Sequence, residues 1–272
     1  MAKNIALGSL VYNRPLALLP SHLAVLTELA RDGGDIAAIL GEKADCEDRD
    51  YDVVAGIAVI PIKGDLMHSP DWWWWGYSTS YRQIRRCLAS AIGDDMVKAI
   101  VLHVDSPGGE CSGCFDMADA IYAMRGTKPI WAIVDEACFS AAYALASAAD
   151  KIMIPRTGGV GSIGIIAQHT SIVGALEKAG IEVTTFTYGA RKADGWPTSK
   201  MTDPAANRIQ AEIDALGELF VDTVARNRDI AASKIRAMEA GTFMGSAGVS
   251  AGLADKVISV DEAFLEMLDT IA

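Results

Sequence analysis

Ser140 stands at the head of the alanine-rich run SAAYALASAADKI, where an apolar strand pattern gives way to a helix pattern. A serine at such a junction has two uses. Its hydroxyl can cap the first helical turn, which is the commoner role. Alternatively it can act as a nucleophile, with the N–H groups of the helix start favouring the negative charge that develops during attack. About thirty residues earlier, VLHVDSPGGE ends a strand pattern in Gly108 and Gly109. Adjacent glycines let backbone approach a ligand closely and leave N–H groups facing an anion, although the same residues also suit a tight turn. GGVGSIG, at 158–164, has a glycine order similar to that of a dinucleotide loop. The following IIAQHT reads as strand rather than helix, so the context of a phosphate site is missing.

A serine nucleophile needs a base, and YGARKADG supplies Lys192. An ordinary lysine, with a pKa of about 10.4, holds its proton at neutral pH. Desolvation disfavours the ammonium, so a lysine shielded from water can take a serine proton. Arg191 and Asp194 beside Lys192 equally fit a solvated surface charge. His169 in IIAQHT, oriented by Asp150 or Asp194, would instead give a Ser/His/Asp triad. Cys111 and Cys114 form a C-x-x-C, with Cys138 and His103 elsewhere, so zinc and redox chemistry enter consideration. No second C-x-x-C or H-x3-H accompanies them, and they read as buried thiols. No metal or other cofactor is expected.

The 272 residues are 51% hydrophobic, enough for a large core, and carry a formal net charge of -11. That acidity argues against a nucleic-acid partner, which calls for a basic footprint. No run reaches the roughly 18 apolar residues of a membrane span. The opening MAKNIALGSLVYNRPLALLP is too broken for a signal peptide, so the chain reads as soluble and cytoplasmic. Five cysteines in a chain this long do not suggest a disulfide framework.

Residues 1–52 read as an N-terminal arm with one helix after Ser21 and an acidic linker, and 53–272 as the main domain. From 53 onward strands alternate with helices. VVAGIAVIPI, VKAIVLHVD, PIWAIVD, KIMIP and IEVTTFTY read as strands; STSYRQIRRCLASAI, CFDMADAIYAM, SAAYALASAA and TSIVGALEKAG read as helices. The stretch 203–272 reads as mostly helical. Such alternation predicts an α/β fold with parallel strands covered on both faces. Trp72–Trp75 are four consecutive indoles, which no single helix or strand face can bury. Some are expected to meet another subunit, a substrate or a membrane surface; a subunit contact is the favoured use, and exchange of Trp73 and Trp74 for Ser would disturb assembly.

The order DSPGG, Ser140 in SAAYALASAADKI, GSIG, then YGARKADG resembles the signal peptide peptidase A family of serine peptidases. The likeness is strongest to its phage branch, the head-maturation proteases, and extends through GTFMGSAGVSAGLADKV over about residues 53–260. The resemblance implies a crotonase-like spiral of strand-strand-helix units, shared with the Clp proteolytic subunit, and a helical C-terminal part. It also implies a Ser/Lys dyad with Ser140 as nucleophile, Lys192 as base and Ser162 bonding the lysine. The N–H groups of Gly108 and Ala141 would form the oxyanion hole, and extended substrate would lie beside Gly109 and Gly161. Many members carry Gly-Gly after the serine, where this chain has Ala141-Ala142. Those small side chains hint at cleavage after small residues. The implied partners are capsid or scaffold proteins and further copies of the chain, in a ring with sites between subunits, in host cytoplasm or prohead. Competing expectations are a Clp-type triad, cytosolic peptide degradation, an acyl-CoA hydratase or isomerase on the same spiral, and a shell protein with a vestigial site.

Overall fold

The computed structural model describes residues 15–18, 51–69 and 78–271. Three long strands carry the fold: β3 (Ile57–Met67), β5 (Ala99–Glu110) and β6 (Ile130–Phe139). They are preceded by β1 (Leu16–Leu18) and β2 (Asp52–Val54), and β4 (Ser78–Ser80) lies between β3 and β5. After β6 come β7 (Lys151–Ile154), β8 (Gly159–Gly161), β9 (Thr242–Met244) and β10 (Lys256–Val257). The sheet runs β10-β7-β6-β5-β3-β2, parallel from β10 to β3 and antiparallel at β2.

Both faces of this sheet are covered, which explains why its strands are apolar without interruption. Ala58, Ile60, Leu102, Val104, Ala132 and Val134 join the main core, while the alternate residues Ile57, Ala99, Val101, Trp131, Ile133 and Met153 form a second one. The helices of the main face are α1 (Tyr81–Gly93), α2 (Cys114–Met124), α3 (Ala141–Ser147) and, later in the chain, α5 (Asp203–Arg228). Between α3 and α5 lies the short α4 (Val173–Lys178), and α5 is followed by α6 (Ala232–Arg236) and α7 (Ser246–Ala251). The last helix, α8 (Val260–Ile271), covers the second core with Ala263 and Met267. No described helix is long and apolar enough to cross a membrane.

Each long strand changes partner near its end. The register of β3 on β5 shifts between Lys63 and Asp65, and that of β5 on β6 between Val104 and Ser106. Beyond the shifts, β3 pairs with β4, β5 with β1, and the end of β6 with β8. One strand thereby serves as two segments, and α1, α2 and α3 follow β4, β5 and β6 in turn. This strand-strand-helix repeat is the crotonase-like spiral that the resemblance implies.

Several local expectations change. The helix expected from Ser78 starts at Tyr81, because Ser78–Ser80 first extend the sheet; Ser80 then caps it by accepting from the Gln83 N–H at 3.1 Å. The Ser-Pro-Gly-Gly turn is absent: β5 continues through both glycines to Glu110. Residues 181–188, expected as a strand, pair with no described strand and lie exposed, Phe186 at 91%. TSIVGALEKAG keeps helix only over Val173–Lys178. β9 and β10 interrupt the C-terminal part that was read as helical. The helix after Ser21, most of the acidic linker and the tryptophan run lie outside the described residues.

Candidate active site

β6 ends at Phe139 and α3 begins at Ala141, leaving Ser140 as the hinge between them. Its backbone sits at φ 53°, ψ -119°, a sparsely populated region for a residue with a side chain, which costs about 1–3 kcal/mol. Two backbone bonds hold it there. The Ser140 N–H donates to the Gly161 carbonyl at 2.8 Å, and the Ser140 carbonyl accepts from the Ala144 N–H at 2.9 Å. The side chain does not cap the helix; its hydroxyl instead donates to the Gly164 carbonyl at 3.5 Å. The cap reading therefore fails at Ser140 although the residue occupies the cap position. Because the Ala144 bond is the first of the helix, the N–H groups of residues 141–143 precede any intrahelical acceptor.

α3 is wholly buried, and its alanines let it pack closely between the sheet and its neighbouring helices. Burial also strands the carbonyls at its C-terminal end, and Arg125 answers them. Its guanidinium donates to the carbonyls of Ser147 at 3.1 Å, Ala148 at 2.7 Å, Ala149 at 2.5 Å and Asn227 at 3.2 Å. Tyr122 stacks beneath it, 4.5 Å from ring centroid to guanidinium carbon. Asn227 adds a bond to the Ser147 hydroxyl at 2.9 Å. None of these positioning residues carried a sequence signal, since their acceptors lie far along the chain.

Gly108 faces the serine. Its φ is 112°, and a Cβ there would collide with the Ala17 carbonyl while lying 3.0 Å from Ser140 Cβ. Its N–H donates to the Ser106 hydroxyl at 3.2 Å, and that hydroxyl donates to the Gly64 carbonyl at 2.7 Å. A Cβ on Gly109 would run into the Leu66 backbone. Glycine is thus required at both positions by close backbone approach. On the opposite side Gly161 and Ser162 also take positive φ, 109° and 55°. The Ser162 N–H donates to the Gly241 carbonyl at 2.9 Å. β8 is paired on both edges, with β6 and with β9, so Gly161 meets Ser140 through its carbonyl and offers no vacant strand edge.

Ser140, Ala141, Gly108, Gly109, Gly161 and Ser162 therefore converge. Lys192 does not join them within one chain: it is exposed, in a turn where its N–H donates to the Gly189 carbonyl at 3.1 Å. The carboxylates expected to orient His169 are engaged with other groups. Asp194 accepts from Arg208 Nε at 2.8 Å and Nη2 at 2.5 Å, and Asp150 accepts from the Ile130 N–H at 2.8 Å. The C-x-x-C is packing material. Burial pushes the Cys111 thiol up to about 12 and raises Cys114 further, and Cys114 Sγ donates to the Ala141 carbonyl at 3.8 Å.

The fold and these residues define a spiral α/β protein whose serine is held at a strand-to-helix junction between two glycine-rich segments. The model of Peptidase family S49 matches residues 123–271, and the chain belongs to that family. It is 37% identical to head-tail preconnector protein GP5 of Enterobacteria phage P21, over 80% of this chain and 44% of that protein. It is 32% identical to capsid assembly protease C of Escherichia phage lambda, over 97% of this chain and 65% of that protein. The chain thus spans between about two fifths and two thirds of the length of these relatives. An enoyl-CoA hydratase from Shewanella pealeana superposes with a TM-score of 0.49 at 11% identity, covering 81% of this chain and 72% of that one.

Proposed function

We propose that this chain is a serine endopeptidase that processes capsid or scaffold proteins during phage head maturation, with a Ser140/Lys192 dyad assembled between neighbouring copies. The observation that carries the reading is the backbone of Ser140, kept at φ 53° with its hydroxyl unused for capping and with Gly108 against its Cβ. A strained backbone at a buried polar residue calls for a functional reason, and a nucleophile presented at a sharp turn supplies one.

In the reaction, Ser140 Oγ adds to a substrate carbonyl as Lys192 takes its proton. The N–H groups of Gly108 and Ala141 receive the oxyanion, Gly108 exchanging its Ser106 bond for a charge-assisted one. Ser162 fixes the direction of the lysine amine. A lysine supplied by a second copy fits its exposure in one chain, where Ser140 is fully buried. The segment that bears it is rich in exposed apolar surface at Ile181, Val183, Phe186, Tyr188 and Trp196, which fits a subunit contact. Host cytoplasm or the prohead is the corresponding setting.

The test incubates purified protein, and its Ser140→Ala variant, with candidate capsid and scaffold proteins, followed by fragment mass spectrometry. Serine-directed phosphonate labelling of Ser140 is measured alongside. Fragments and labelling that both require Ser140 support the reading; absence of labelling together with turnover of a CoA thioester would replace it.

A further inference from the structure

We infer that the first substrate of this site is the chain's own N-terminal strand, cut between Ala17 and Leu18, and that until the cut β1 blocks the substrate channel. The inference rests on the reading of Ser140 as a peptidase nucleophile.

β1 lies antiparallel to the end of β5, pairing Leu16 with Glu110, Ala17 with Gly109 and Leu18 with Gly108. It sits beside a stretch of β5 whose pairing with β6 has ended, since the last β5–β6 partners are Ser106 and Cys138. An extended peptide added to a sheet edge is the common way a peptidase holds substrate, through main-chain bonds with pockets for alternate side chains. Here the added strand belongs to the protein itself. It is no local turn, because more than a hundred residues separate Ala17 from Ser140.

The register puts a reactive group opposite the serine. The position a Cβ would take on Gly108 meets the Ala17 carbonyl oxygen and lies 3.0 Å from Ser140 Cβ. Carbonyl and serine thus both approach one glycine. The strand is also seated by its side chain: Ala17 is fully buried, in the same core as Ala141 and Cys111, and its N–H bonds the Cys111 sulfur. A seat that closes over a methyl group admits a small residue and rejects a large one. The strand therefore reports the preference of the site, a small residue on the acyl side of the scissile bond.

The cleavage balances as a hydrolysis. Ser140 Oγ bonds to the Ala17 carbonyl carbon and gives its proton to the base. The bond from that carbon to the Leu18 nitrogen breaks, and the nitrogen leaves as an amine with the proton. Water then adds to the ester, the bond to Oγ breaks, and the Ala17 carboxylate departs as the hydroxyl is restored. One water is consumed, and the channel beside Gly108 and Gly109 becomes available to other chains.

The experiment follows the intact mass and N-terminal sequence of the full chain after purification, with a fluorophosphonate probe of Ser140 in parallel. The wild type should acquire a new N-terminus at Leu18, and Ser140→Ala and Leu18→Pro should not. Ala17→Arg, whose side chain cannot enter the seat, should stay uncut yet label at Ser140 about tenfold faster than Leu18→Pro, as expected if the strand leaves the channel open about a tenth of the time. Labelling of Ser140 with an intact Ala17–Leu18 bond and equal rates in both variants would overturn the inference and leave the peptidase reading standing. A new N-terminus elsewhere would overturn the register. No labelling in any variant would overturn both readings.

Discussion

The amide of Ser140 and the carbonyl of Gly161 are joined at 2.8 Å, which ties the turn at Ser140 to the strand that leads into Ser162. Neither half of the site can shift without the other. The strained backbones on either side of this bond, at Ser140 and Ser162, are held by the same stitch.

Gly108→Ala tests how closely that turn is packed. The added methyl meets the Ala17 carbonyl and Ser140 Cβ and forces positive φ on a residue with a side chain. Displacement of a reacting group by about 1 Å costs about a hundredfold, so phosphonate labelling of Ser140 should fall to about 1% of wild type. Circular dichroism should still report a folded chain.

Arg125→Met removes the donors to four carbonyls at and beside the end of α3 while keeping much of the side-chain volume. Leaving buried acceptors unmatched costs about 1–3 kcal/mol each, so a loss of about 3 kcal/mol or more is expected. Calorimetry should show a fall in Tm of about 6–12 °C.

Alkali should destabilise the protein through its buried thiols. The Cys111 thiol is raised from 9.0 to about 12 in the fold, because burial disfavours the thiolate. Above the unfolded value, the unfolded chain sheds this proton and the native chain keeps it, so stability present below about pH 9 is lost as pH rises toward about 12. The slope is at most about 1.4 kcal/mol per pH unit per thiol, and Cys114 and Cys138 act in the same direction. Urea midpoints measured from pH 8 to 10.5 should fall; an unchanged midpoint would contradict burial of these groups.

A dyad shared between copies, as proposed, predicts rescue between dead parents. Ser140→Ala subunits retain the lysine and Lys192→Ala subunits retain the serine. Random co-assembly at equal amounts should complete about a quarter of the interfaces and recover about a quarter of the activity. Mixed assemblies as inactive as either parent would assign both residues to one subunit.

Phe186→Asp with Tyr188→Asp places charge on the exposed aromatic stretch next to Lys192. Sedimentation should show a smaller particle, with peptidase activity below about a tenth of wild type if that contact is what brings the lysine of one copy to the serine of another. Unchanged size would remove this segment from the interface.

The parallel strands were legible because a sheet covered on both faces writes itself as unbroken apolar runs, as in VKAIVLHVD and PIWAIVD. The partner changes at Lys63/Asp65 and Val104/Ser106 were not, since they are decided by which neighbour a strand end meets. IEVTTFTY satisfies strand alternation yet pairs with no described strand, because alternation states a preference and pairing needs a second chain segment. At the site, Ser140, Gly108, Gly109 and the GSIG glycines could be picked out by type and spacing. The positive φ of Ser140 could not, as Phe-Ser-Ala gives no local sign of it, and neither could Arg125, whose acceptors converge only in three dimensions.

β9 comes about a hundred residues after Ser140, yet Gly241 beside it holds the Ser162 amide and its strand closes the outer edge of β8. During synthesis Ser140 therefore leaves the ribosome well before its buttress. A nascent chain that has reached α5 carries Ser140 and Lys192 without the carbonyl that steadies Ser162, so the order of translation itself withholds a finished site until Gly241 and β9 have been made.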